Sequence, residues 1–95
     1  MNMSDIFKKT TECVIKQAGN EFILVPLTDN IAQMNSMYTL NETGAFIWER
    51  IDGKNSLESI AQMISDEFET DYESALKDTK AFIEKLNDLV SKIAL

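Results

Sequence analysis

The sequence predicts an α+β domain, strands first and helices after, on three observations. From Glu12 to Leu40 the apolar residues fall in short runs separated by turn residues, the pattern of strands. From Asn41 onward they recur every three or four positions, the pattern of amphipathic helices. Each helical stretch follows a short polar side chain of the kind that caps a helix N-terminus. Strands followed by helices is the chain order of an α+β domain.

The first strand is Glu12–Gln17, β-branched at its centre, and Ala18-Gly19-Asn20 turns the chain. Glu21–Val25 is a nearly continuous apolar run, and Pro26 marks its end or an edge position. Thr28-Asp29-Asn30 has loop chemistry. Met34–Leu40 then alternates, with Met34, Ser36, Tyr38 and Leu40 on one face and Asn35, Met37 and Thr39 on the other. An antiparallel meander of three strands is the economical arrangement.

Asn41 caps the first helix, with Glu42 in its first turn, where a negative charge suits the helix dipole. Gly44, Ile47, Trp48 and Ile51 form its apolar face, and Asp52-Gly53 ends it. Ser56 caps the second helix, whose stripe is Leu57, Ile60, Ala61, Ile64 and Phe68. Thr70-Asp71 opens the last helix. There Tyr72, Leu76, Thr79, Ile83, Leu86, Val90 and Ile93 alternate spacings of four and three, and Ala75, Phe82 and Leu89 widen the stripe. That periodicity predicts one long helix running nearly to the C-terminus. It covers about three heptads, the lower limit for a coiled coil, so packing on the protein's own sheet is the better use. Three helices beside a small sheet suggest a winged helix-turn-helix-like fold. Residues 12–95 form the expected domain and residues 1–11 an N-terminal extension.

Composition excludes several functions. With a net charge of −7 the chain has the wrong sign for the phosphate neutralisation on which nucleic-acid binding depends. No apolar run approaches the roughly 20 residues needed to span a bilayer. Met1–Lys9 has no stretch resembling a signal peptide, so a cytoplasmic location without membrane attachment is expected. There is no histidine, and the one cysteine, Cys13, has no evident activating partner, so it reads as a small apolar side chain. Glycines stand only at 19, 44 and 53, which leaves no phosphate-cradling loop or dinucleotide fingerprint. Zinc would need histidines or paired cysteines. The acidic run Asp66, Glu67, Glu69, Asp71 and Glu73 lacks the spacing and turn glycine of a calcium loop, and reads as solvated side chains at helix ends. Neither catalytic residues, a metal site nor a cofactor is expected. The chain reads as a binding protein that is not an enzyme.

The stretch Leu40-Asn41-Glu42-Thr43-Gly44-Ala45-Phe46-Ile47-Trp48-Glu49-Arg50-Ile51-Asp52-Gly53 resembles the signature of the PqqD family. The features are a Leu-Asn pair, a glycine three residues later, an aromatic-rich helix and Asp-Gly. Ser56-Leu57-Glu58-Ser59-Ile60-Ala61 resembles that family's next helix, and the likeness covers roughly residues 12–93. In physical terms the motif is structural: Asn41 caps, Gly44 allows close packing, Trp48 fills the core and Gly53 turns the chain. What the resemblance implies is a peptide chaperone for ribosomally made, modified peptides. Such a protein binds a precursor's leader and presents it to a radical SAM or other peptide-modifying enzyme.

The family resemblance further implies that the leader adds as a strand along the third strand, beside the last helix. A meander leaves that strand at an edge with unpaired backbone groups. The expected contacts are Met34, Asn35, Ser36, Met37, Tyr38 and Thr39 on the edge, and Tyr72, Ala75, Leu76, Thr79 and Ile83 on the helix. Leu76 and Ile83 also suit core positions, whereas Tyr72 and Thr79 each bring a polar tip to an apolar stripe. The competing readings are a DNA-binding winged helix, disfavoured by Asp71 and Glu73 in the first turn of the would-be recognition helix, and a homodimer formed through the edge strand or the last helix.

Overall fold

The structure, a computed structural model, describes residues 1–27 and 37–93. Its elements in chain order are β1 (Phe7–Lys9), β2 (Cys13–Ala18), β3 (Glu21–Pro26), β4 (Tyr38–Leu40), α1 (Glu42–Arg50), α2 (Leu57–Phe68), α3 (Tyr72–Lys85) and β5 (Val90–Lys92). The expected α+β architecture is present: an antiparallel sheet in the order β2-β3-β4, followed by three helices.

Local chemistry explains the joints. Gly19 at φ +66° is the first central residue of the two-residue β2–β3 turn, a position that favours glycine. Each helix begins at its expected cap. Asn41 accepts from Gly44 N–H, Ser56 from Ser59 N–H, and Asp71 from Ser74 N–H. Gly53, at φ +79°, turns the chain out of α1.

The core lies between the inner sheet face and the helices. Leu24 and Leu40 project from the sheet onto Ile47, Trp48 and Ile51 of the α1 segment, Leu57, Ile60, Ala61 and Ile64 of α2, and Ala75, Phe82 and Ile83 of α3. Helix α1 packs on β3 and β4, and α2 packs along α3. Burying each large aliphatic side chain in such a core stabilises the fold by about 1.5–3 kcal/mol. The motif residues Gly44, Ala45, Ile47 and Trp48 are buried here.

Two expectations are corrected at the chain ends. The last helix does not continue towards Ile93; it ends at Lys85. Leu86 N–H still bonds Phe82 C=O, a turn follows, and Val90–Lys92 becomes β5. Leu89 and Val90 remain buried, so the apolar spacing that resembled helix belongs to a strand entering the same core. The partner of β5 is β1, from the segment expected to be an extension, with Phe7 opposite Lys92 and Lys9 opposite Val90.

Residues 1–11 form a strap woven into the fold. Leu57 N–H donates to Asp5 C=O and Glu58 N–H to Met3 C=O, satisfying two donors that the start of α2 cannot satisfy internally. Gly53 N–H donates to Phe7 C=O, Ile93 N–H to Ile6 C=O and Thr10 N–H to Leu89 C=O. The Lys9 ammonium lies 5.0 Å from the centre of the Trp48 ring.

Candidate functional site

The free edge of the three-stranded sheet follows from its hydrogen-bond alternation. Leu27 N–H donates to Glu12 C=O at 2.7 Å, which makes 12 and 27 a bonded pair of the β2–β3 ladder. Bonded and non-bonded pairs alternate, so Cys13–Pro26 is non-bonded, as a residue without an N–H requires. The odd residues of β3 therefore face β2, and Phe22 and Leu24 face β4, where they pair with Leu40 and Tyr38. Thr39, opposite Ile23, has its N–H and C=O turned outward. Met37 immediately precedes β4 and is exposed; if the alternation of the strand ran on through it, its N–H and C=O would also turn outward. Among the described residues no strand lies on that side of β4.

The end of β4 opens into a cleft. One cavity of about 320 Å³ is lined by Asn20, Glu21, Thr39, Leu40, Asn41, Gly44, Phe82 and Lys85. A second, of about 260 Å³, is lined by Asn41, Thr43, Gly44, Ile47, Asp78, Ala81, Phe82 and Lys85. They share Asn41, Gly44, Phe82 and Lys85, so they adjoin as one groove from the β2–β3 turn past the start of α1 to the second half of α3. Its floor is tight. A Cβ on Gly44 would stand 3.3 Å from Leu40 Cβ, 3.3 Å from Asn41 Oδ1 and 3.4 Å from Phe82 Cε2. The missing side chain lets α1, β4 and α3 approach one another at this point.

The expected site residues divide into four groups. Met34, Asn35 and Ser36 lie outside the described residues. Met37 is 69% exposed, Thr39 is exposed at the edge, and Tyr38 turns inward, half-buried. Ala75 and Thr79 are fully buried and Ile83 nearly so, which makes them core residues in this structure. The Thr79 hydroxyl, expected to offer a polar tip, donates to Ala75 C=O at 2.8 Å within its own helix. Tyr72 and Leu76 are half-buried and pack against the core, and neither lines the cleft cavities described above. Leu76 and Lys85 are nine residues apart, and nine steps of about 100° point them in opposite directions.

The cleft-lining flank of α3 is Asp78, Ala81, Phe82 and Lys85, spaced three, four and seven residues from Asp78. Sequence reading placed Phe82 in the widened stripe. Asp78, Ala81 and Lys85 lie outside that stripe, and no sequence signal marks them.

The cleft is mixed in character. Lys85 lies in the part shared by both cavities, Glu21 lines one and Asp78 the other, and Lys85 makes no ion pair among the described residues. No group of three or more His, Cys, Asp or Glu among the described residues is placed to hold a metal ion. Burial pushes the Cys13 thiol above its ordinary pKa, against a smaller opposing effect of Lys9, so it is protonated at neutral pH and a poor nucleophile. No described helix is long and apolar enough to cross a membrane. The arrangement can hydrogen-bond an extended backbone and receive its side chains.

Comparison with known proteins gives three findings. The family model described as coenzyme PQQ synthesis protein D (PqqD) matches residues 21–89. No curated protein sequence matches. Among solved structures, a lasso peptide synthetase B1 complexed with the leader peptide is similar, with a TM-score of 0.67 at 23% identity, over 90% of this chain and 96% of that one. TbiB1 in complex with the TbiA(beta) leader peptide is similar with a TM-score of 0.68 at 22% identity, over 93% of this chain and 99% of that one. At these identities the likeness establishes a shared fold.

Proposed function

Because the chain belongs to the PqqD family, we propose that it binds the leader of a ribosomally made precursor peptide by strand addition to β4 and presents the peptide to a modifying enzyme. The observation that carries this reading is the free edge at Thr39, leading into the cleft between β4 and α3. Two structures of the same fold are complexes with leader peptides.

The leader would run antiparallel to β4. Its backbone would bond the outward N–H and C=O groups of Met37 and Thr39, supplying affinity without regard to sequence. Alternate side chains would point inward, over Leu40, Phe82 and the Gly44 floor, with Lys85 and Asp78 at the rim. Ala75, Thr79 and Ile83 would act from behind, holding α3 against the core.

This role requires no covalent chemistry of the chain itself, in keeping with its lack of histidine and its protonated thiol. The receiving enzyme would be a radical SAM protein or another peptide-modifying catalyst. The site of action would be the cytoplasm, where ribosomes release the precursor. Titrating candidate leader peptides into isotopically labelled protein tests the reading. Saturable backbone amide shifts at Met37–Asn41 and Asp78–Lys85 are expected, and shifts confined to other surfaces would reject it.

A further inference from the structure

We propose that the added strand is read on both faces, and that the leader carries an apolar side chain opposite Met37, on the sheet face turned away from the helices; this rests on strand addition at β4. Where helices cover one face of an antiparallel sheet, the other face is ordinarily polar. Here the outer face carries Val14, Ile23 and Val25 beside Lys16, Glu21 and Thr39, and the alternation extended one residue past β3 and before β4 adds Leu27 and Met37; Val14 is 38%, Leu27 54% and Met37 69% exposed. Strand propensity accounts for the valines and the isoleucine, because β-branched side chains suit a pleated surface. It does not account for Leu27 and Met37. Both are unbranched at Cβ, and both stand at the end of the sheet where β4 begins.

The register turns this patch into a statement about the peptide. A residue p opposite Leu40 in an antiparallel added strand faces inward, over Leu40 and Phe82. Residues p+1, p+2 and p+3 then stand opposite Thr39, Tyr38 and Met37. The last faces outward, with its Cβ about 4.5–5.5 Å from that of Met37. The Met37 thioether is flexible and polarisable, so it can pack on apolar partners of different shape. Polar Thr39 makes no such demand at p+1. The substrate class is therefore an extended segment with apolar residues at p and p+3, one for each face of the sheet. A simply alternating amphipathic strand would place them an even number of residues apart.

Display of a library of short random peptides on the full-length protein tests this, in parallel with Met37→Lys and Thr39→Pro variants whose folding is verified by thermal melting. Wild-type binders should share an apolar pair three residues apart. Selection on Met37→Lys should keep the first apolar residue and turn the second to Asp or Glu. Wild-type binders should lose about two- to fivefold in affinity on that variant, the size of one cross-strand pair. Identical residues at p+3 from both selections, with binding still abolished by Thr39→Pro, would overturn the two-face readout and leave strand addition standing. Full binding to Thr39→Pro, or no enriched binder to the wild type, would overturn strand addition and this inference with it.

Discussion

Thr39→Pro separates peptide binding from folding, because the N–H it removes is outside the ladder. Within the sheet, β4 is held through Tyr38 and Leu40, which pair with Leu24 and Phe22. Tyr38, as the residue before a proline, is already extended. The folding cost reduces to drawing φ from a strand value towards −65°, about 1 kcal/mol or less. Binding is affected more severely. One backbone hydrogen bond is worth about 0.5–1.5 kcal/mol net, or roughly two- to tenfold in affinity. The ring Cδ would also occupy the place where a peptide carbonyl must come within about 2.9 Å of nitrogen. The expected loss is therefore at least about tenfold, with thermal stability nearly unchanged. Tyr38→Pro is the contrasting control. It removes a ladder bond to β3 and should unfold the edge. The assay is fluorescence anisotropy with a dye-labelled leader, alongside thermal melts of each variant. A folded Thr39→Pro protein that binds with wild-type affinity would refute strand addition at this edge.

Three further outcomes are expected. Thr79→Val keeps the shape of a fully buried side chain and deletes only an intrahelical bond, so leader affinity should be unchanged and stability should move by about 1 kcal/mol or less, read by denaturant titration. Asp52 and Asp71 are held below the usual carboxylate range, chiefly by N–H donors of Asn55 and Lys54 in the first case and of Ser74, with its hydroxyl, in the second. A depressed folded-state pKa gives stability that is full above the unfolded value, about 3.9, and is lost as pH falls through the folded one; the Asp52→Asn, Asp71→Asn double variant should show a flatter acid limb in stability measured against pH. Deleting residues 1–11 removes β1, half-buried Phe7 and both strap bonds to the start of α2, and denaturant unfolding should show a loss of about 3–5 kcal/mol or more.

The elements that could be read from sequence are those whose signals are local. Asn41, Ser56 and Asp71 announce their helices because a short polar side chain can satisfy an exposed N–H three residues on. The β2–β3 hairpin declares itself through Gly19. Strands β1 and β5 have three residues each and no alternating pattern, and exist through pairing with each other across the length of the chain. Val90 and Ile93 even continue the helical spacing of α3, and neither glycine nor proline marks the helix end between Lys85 and Val90. The site divides in the same way. Its edge strand follows from the order of a meander, whereas the flank of α3 that faces it depends on how that helix is rolled in the core. A stripe from Tyr72 to Ile83 shows which side is buried, and is silent on whether Leu76 or Lys85 borders the sheet.

The pairing of β1 with β5 brings residues 6 and 93 together, with a backbone hydrogen bond of 2.8 Å between them. Folding must therefore draw a ring closed around nearly the whole domain. The entropic cost of that closure rises only logarithmically with length. Contacts so distant in sequence suit a late step, after the hairpin and helices have assembled. Joining the ends by a brief loop and opening the chain elsewhere would give a circular permutant in which β1 and β5 become a local hairpin. Its folding rate, compared with that of the natural order, would measure how much of the barrier belongs to drawing the ends together.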